Sequence, residues 1–515
     1  MKSKSNRRVF LKGAGAGAVA LSMPTYLRPA KAQENQLRFL GAENVTGNWD
    51  PTANTTLANI LIEMQTFNRC IFYPMSEEDP LAPQFKIVES MRQVDPFTSE
   101  YKIRRGVRFH SGDECTADDV KVSIEYATTP GRPRGMFPAQ STVEIVDSHT
   151  INVTTEESGI PINNALTLTH PYLCIMRAAD IEAGTIEKTI NGTGPYKFVG
   201  QEGENTILEA NPDYFLGRPK IDRVIFSYVP DATTRVLSLL SGEAEFVERL
   251  EAEQYATLLE GGEVGLASTM SIENKYLHFR CAKKPFDDVR VRRAAAHAID
   301  RSVILDIMGT AGTSIDNIMP RGKLGYSNLE DLMPEFNPEK CQQLLAEAGY
   351  PNGQGLPELE YITSTGFYPK TKEYGEVIQA LLEAQGFPVK LTVHEPAAWN
   401  DRIYNPQEGH LVDVGWAATT PEPGIHLNLM WRNPPALITG INDEEINNAI
   451  QEQLEVPDLE GRAEVLRTKT YPLLIQKLPS FALFTSVMHH GFSKRLKSVK
   501  IYPDGSFDLT SASLS

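Results

Sequence analysis

In YKIRRGVRF (101–109), Tyr101 and Ile103 share one face, and Val107 and Phe109 alternate again after Gly106. That pattern predicts two short strands of a hairpin. The period then changes. In SGDECTADDVKVSIEYA, Val120, Ile124 and Ala127 fall at helical spacing behind Thr116, a residue suited to capping a helix. Asp118 and Asp119 suit the positive first turn of that helix. Further on, FDDVRVRRAAAHAIDRSVILDIM carries one apolar stripe of Val291, Ala294, Ala295, Ala298 and Ile299, with Arg290, Arg293, His297 and Asp300–Arg301 outside it. NPEKCQQLLAEAGYPNG has a cap at Asn337, Pro338 in the first turn and Gly349 to stop the helix. PDATTR starts another helix at Asp231, which Gly242 ends. Strands with helices interspersed, and no all-β spacing, predict an α/β protein. No long linker divides the chain, so any domains are interleaved or joined by short crossings.

The N-terminus follows a different pattern. Arg7-Arg8 precedes Val9, Phe10, Leu11 and Lys12, and R-R-x-F-L-K resembles a twin-arginine export signal. A weakly apolar, glycine-rich run from Gly13 to Met23 follows, then Ala30-Lys31-Ala32, a small-x-small cleavage pattern. A membrane span needs ~20 strongly apolar residues, and this run is too short and too rich in glycine. The reading is a leader over residues 1–32, cleavage near Ala32/Gln33 and a soluble periplasmic product that crosses the inner membrane folded.

Removing the leader changes the charge balance. The formal net charge is −16, and the leader holds seven Lys and Arg with no acid, so the remainder carries −16 − 7 = −23. Such a surface repels nucleic acid and anionic lipid. Cys70, Cys115, Cys174, Cys281 and Cys341 show no C-x-x-C or zinc-like pairing. Folding before export takes place in a reducing cytosol, so all five are expected to be buried thiols. His489–His490 are neighbours that point to opposite faces of a strand and are poorly placed to share a metal. No H-E-x-x-H, Walker-type loop or G-x-S-x-G occurs in the sequence. No enzymatic activity, cofactor or metal is expected.

GTGPYKF (192–198), followed by ILEANPDYFLGRPKIDRVIFSYVPDATTRVLSLLSGEAEF (207–246), resembles the signature region of the extracytoplasmic solute-binding proteins of family 5, the peptide/nickel class of ABC importers. GVRFHSGDECTADDVKVSIEYA (106–127), KKPFDDVRVRRAAAHAIDRSVI (283–304), FNPEKCQQLLAEAGYPNG (336–353) and VDVGWAATTPEP (412–423) extend the resemblance in family order. In the signature, the glycines of GTGPY are read as sharp turns and Asn211-Pro212 as a turn. These strings identify a scaffold and not its cargo.

The resemblance implies an α/β, two-lobed periplasmic-binding-protein fold (type II, cluster C) with an inserted extra subdomain in the first lobe. The expected division is 33–75, 190–280 and 485–515 for lobe I, 76–189 for the insertion, and 281–484 for lobe II. Solute is expected to bind in the interlobe cleft of a monomer, which then docks on the transmembrane subunits of an ABC permease.

Seven residues are candidates for the cleft. Trp416, at the end of the LVDVGW strand, offers a rigid surface for the solute, the alternative being a core Trp that supports the loop. Thr419 and Thr420 follow it as hydroxyl donors or plain turn residues. Glu422 stands near the position where peptide-binding relatives carry an Asp that grips the ligand amine, and its alternative is a solvated loop acid. Trp399 lines the cleft or packs a helix face. Arg280 binds a carboxylate or forms a hinge ion pair. Trp49 belongs by resemblance to the first cleft-facing loop. A peptide-like solute is expected. An oligosaccharide, an opine or a metal chelate, and a role presenting ligand to a sensor, remain open.

Overall fold

The computed structural model describes residues 35–53, 56–75, 82–129, 141–156, 173–250, 254, 258, 262–365, 368–417, 421–434 and 436–515. The leader lies outside the described residues. In chain order the strands that build the framework are β1 (Gln36–Gly41), β2 (Val88–Asp95), β3 (Thr98–Ile103), β4 (Thr142–Asp147), β5 (Thr150–Thr154), β6 (Tyr196–Glu202), β7 (Asn205–Ala210) and β8 (Arg223–Tyr228). They continue with β9 (Phe246–Val247), β10 (Val264–Phe279), β11 (Gly312–Thr313), β12 (Leu359–Ser364), β13 (Val389–His394), β14 (Leu411–Ala417) and β15 (Ser480–Ser493).

Eleven strands form one sheet in the order β13-β12-β14-β10-β15-β9-β1-β8-β7-β6, with β11 pairing β15 off this path. β1 runs parallel to β8 and β9, and β12 runs parallel to β13 and β14. The long antiparallel pair β10 and β15 is shared by both halves. Its register shifts between Met270 and Asn274, so Ser271–Glu273 form a bulge midway along the crossing.

The apolar cores separate at this level. One cluster runs from Tyr276 to Phe484 and holds Trp399, Leu411 and Trp431. Another joins Leu37, Phe39 and Phe246 to Leu496 and Phe507. A third belongs to β2-β3-β5-β4 and the helix packed on that sheet. A fourth, smaller cluster joins Leu40, Val236, Leu239 and Val247.

Local signals explain most helices. α1 (Leu57–Thr66) precedes α2 (Ala117–Ala127), whose Asp119 accepts from the Thr116 backbone N–H at 2.8 Å and hydroxyl at 3.1 Å, closing a capping box. α3 (Ala232–Leu240) starts at Asp231, which accepts from the Thr234 N–H, and is followed by Gly242 at φ 77°. The stripe from Val291 stays on α4 (Val289–Ala298) and its cap Ile299, and the rest of that segment forms a second helix, α5 (Arg301–Met308), which Asp300 caps. His297, expected outside the stripe, is buried, with its Nδ1 2.8 Å from the Glu335 carbonyl. α6 (Pro338–Glu347) is capped by Asn337 and followed by Gly349 at φ 92°. α7 (Thr371–Ala384), α8 (Pro396–Ile403), α9 (Glu444–Glu455) and α10 (Leu459–Val465) belong to the second lobe. All five cysteines are buried thiols.

Two expectations need correction. The 101–109 hairpin does not form: β3 already pairs with β2 on one side and β5 on the other, leaving no free edge. Val107 and Phe109 are instead buried from a loop held by an isolated Arg108–Glu114 bridge. The glycines of GTGPY serve close approach more than sharp turning. A Cβ on Gly192 would lie 2.0 Å from the Thr66 carbonyl oxygen, and one on Gly194 would lie 2.3 Å from its carbonyl carbon. Gly194→Ala therefore forces two backbones apart and is expected to cost about 1–3 kcal/mol, read as a lower thermal midpoint. Gly375→Ala, in α7 with no neighbour nearer than 3.6 Å to its Cβ, is the control and should be neutral or stabilising.

Candidate functional site

β14 ends at the lobe junction, where Trp416 pairs with Asn274 of β10, one residue past the bulge. Its ring is partly buried and stands edge-on to His426, with 6.3 Å between centroids. His426 Nε2 lies 3.2 Å from the Trp416 carbonyl, so this nitrogen carries the proton. The indole Nε1 of Trp416 and Nδ1 of His426 have no partner among the described residues. One donor and one acceptor are thus buried beside the Trp416 ring without a partner among the described residues. Thr419 and Thr420, three and four residues after Trp416, lie outside the described residues.

The other candidates are engaged elsewhere. Glu422 is buried and bound bidentately by Arg462 of α10 at 2.6 and 2.7 Å. It also accepts from the Gly424 N–H at 2.8 Å, and Gln453 of α9 accepts from Arg462 Nε at 2.6 Å. This network pins the loop after β14 onto the lobe. Arg280 is fully buried and spends four of its N–H groups on the carbonyls of Arg402, Ile403, Glu408 and Ile438. Burial lowers its pKa to about 10. Trp399 is buried on α8, edge-on to Tyr368 at 5.9 Å. Tyr368 in turn donates to the Gly415 carbonyl at 3.1 Å, so Trp399 supports the strand from behind. Trp49 packs on Phe198 at 4.9 Å within the first lobe. Trp416 therefore ends β14, Trp399 backs that strand, Glu422 is held by Arg462 further along the chain, and Arg280 and Trp49 stand apart.

Several charged groups at the junction had no sequence signal beyond their residue type. Lys275 of β10 is buried, lies against the Tyr368 ring and pairs with Glu273 at 3.0 Å. Burial pulls its pKa down to about 8, and Glu273 opposes that. Gly415 faces it, and a Cβ there would meet the Lys275 ammonium. On the same face Asp413 accepts from the Tyr374 hydroxyl at 2.6 Å, and burial raises its pKa to about 6. Lys323, buried near Glu422 and Asp504, is lowered by burial to about 7.

Two separately cored lobes joined by two shared strands define a hinged binding protein of the periplasmic type. The family model "Bacterial extracellular solute-binding proteins, family 5 Middle" matches residues 86–436, and the chain belongs to that family. It is the substrate-binding component of an ABC importer, not an enzyme. Similar chains include "Heme-binding protein A" of Haemophilus influenzae, 27% identical over 86% of this chain and 85% of the relative. "Dipeptide-binding protein" of Escherichia coli is 25% identical over 81% of this chain and 82% of its own. The structure of HbpA2 from Haemophilus parasuis matches 93% of this chain and 100% of its own, with a TM-score of 0.78 at 24% identity. Among the described residues no helix is long and apolar enough to cross a membrane, and no cluster of His, Cys, Asp and Glu is arranged to hold a metal ion.

Proposed function

We propose that this chain captures a peptide or peptide-like solute between its lobes and hands it, as a monomer, to its permease. Trp416 and the hydroxyls of Thr419 and Thr420 face the solute, whereas Glu422, Arg280, Trp399 and Trp49 support the lobes that close on it. The chain crosses between lobes within β10 and β15; the bulge at Ser271–Glu273 supports a crossing ahead of residue 280. The segments 33–75, 76–189, 190–280, 281–484 and 485–515 otherwise keep the roles stated above. Export follows the twin-arginine route, with cleavage near Ala32/Gln33, on the support of the Arg7-Arg8 string and the small-x-small site.

The observation that carries this reading is the unpartnered indole N–H of Trp416 at the end of a strand beside the lobe junction. A strand end of a parallel sheet is where α/β proteins receive ligands. The peptide-like class draws support from the dipeptide-binding relative. In the test, purified mature chain is titrated with peptides, sugars and metal chelates while tryptophan fluorescence and melting temperature are followed. Peptides are expected to shift both, and Trp416→Ala is expected to weaken binding at least about tenfold, the value of one lost aromatic contact and hydrogen bond. A panel that shifts neither signal defeats the reading.

A further inference from the structure

We propose that Arg249 is a solute-binding residue, gripping a carboxylate of the solute beside the strands that both lobes share. The assignment rests on the solute-binding reading above and names the charge its cargo must carry.

Arg249 stands just beyond the C-terminal end of β9, which runs parallel to β1, where ligands gather in open α/β sheets. Its backbone adopts φ 50°, a left-handed conformation that non-glycine residues occupy at a cost. The surroundings hold it there. Arg235 of α3 is buried and donates to the carbonyls of Val229 at 2.7 Å, Pro230 at 2.8 Å, Glu248 at 3.1 Å and Arg249 at 2.8 Å. Glu248, also buried, accepts from the Ala42 N–H at 2.9 Å. The Leu250 N–H donates to His489 of β15 at 3.1 Å. The loops after β1, β8 and β9 are thereby tied to one another and to a strand both lobes share.

This rigid mount presents a guanidinium whose side chain keeps 43% of its surface exposed. Its ion-pair partner among the described residues is Glu43, at 2.5 Å. Partial desolvation by its neighbours works against its charge, but Glu43, Glu248 and Glu273 outweigh that and hold its pKa above the ordinary arginine value. Glu273 sits in the bulge of β10, so the field around Arg249 reaches the hinge. A guanidinium has five N–H donors, and one carboxylate partner leaves room for a second. The flanking acids decide which second acceptor fits: a doubly charged phosphate meets more repulsion than a singly charged carboxylate, and an amine beside that carboxylate is welcomed. The site therefore suits the charged end of a zwitterionic, peptide-like solute.

Calorimetry with dipeptides, and with the same dipeptides as C-terminal amides, tests this on mature wild type, Arg249→Gln, Arg249→Lys and Arg249→Gly. For the free acids Arg249→Gln is expected to weaken binding about 30-fold, the value of a charge-assisted hydrogen bond. Arg249→Lys, which keeps charge but loses the fork, should fall between. The amides should bind wild type and variants alike. Because glycine adopts φ 50° freely, Arg249→Gly is expected to keep or raise the melting temperature while losing acid binding. Free acids that bind Arg249→Gln within about threefold of wild type overturn the assignment and leave the peptide-like reading standing. A lowered melting temperature in both Arg249→Gln and Arg249→Gly makes Arg249 structural and also overturns it. Wild type that binds no dipeptide, as acid or amide, overturns the peptide-like reading and this assignment together.

Discussion

Arg462→Met is expected to lose about 3–5 kcal/mol of folding free energy, because it strands the Glu422 carboxylate in the second lobe without its partner. The pair is fully enclosed: Arg462 has 0% and Glu422 5% of its side chain exposed, with two bonds of 2.6 and 2.7 Å between them. Taking two charges out of water is costly, and their bidentate geometry with Gln453 and the Gly424 N–H offsets that cost. Removing one partner keeps the cost and discards the compensation. Glu422→Met combined with Arg462→Met should recover most of the loss, since apolar replacement of a whole buried pair is often neutral. Guanidinium unfolding of the single and double variants measures both. The same series separates two roles for Glu422. A ligand-gripping carboxylate would lose affinity with stability unchanged, whereas a loop anchor loses stability first. Single variants as stable as wild type would refute the anchor.

That network shows where sequence reading reaches its limit. Asp231 and Asn337 were legible as caps because each accepts from a backbone N–H three residues on, and Thr116 because Asp119, three residues on, accepts from its own N–H. The family strings were legible because they encode turns and close approaches, as at Gly192 and Gly194. Glu422 and Arg462 stand 40 residues apart, and nothing local in TTPEPG announces the partner. Arg280 reads as a cleft cation until its four carbonyl acceptors come from the end of α8 and from loops, all more than 120 residues downstream. The failed hairpin has the same origin: alternation at 107–109 reports burial, but pairing depends on an edge that β5, distant in sequence, already occupies. The bulge at Ser271–Glu273 was not legible, since it leaves no compositional trace.

Acidification from pH 7 to pH 5 is expected to destabilise the protein by at least about 2–3 kcal/mol, the part that two buried histidines of the shared strands supply net of Asp413. His278 of β10 and His490 of β15 are buried, and burial lowers their pKa values to about 3 and about 4. His278 is further opposed by Arg280, and His490 by His489 and Arg249. Both stay neutral in the folded chain, whereas in the unfolded chain they take up protons below the ordinary value of about 6.5. The unfolded state therefore binds more protons between pH 6.5 and 4, and stability is full above that window and falls with pH inside it. Each histidine contributes about 2 kcal/mol of loss by pH 5. Asp413 acts in the opposite sense. Its folded pKa, raised to about 6 by burial, lets the folded chain bind a proton first and returns about 1 kcal/mol. His110 and His426 are lowered by burial as well, so the net direction does not depend on the pair alone. His490→Phe keeps a ring against Phe246, on which His490 stacks at 5.7 Å, and removes one titrating group. Urea midpoints at pH 7, 6 and 5 should fall steeply for wild type and less steeply for this variant. A wild-type midpoint that does not move between pH 7 and 5 would show that these imidazoles meet water in the folded chain, and the shared strands would then be looser than their burial implies.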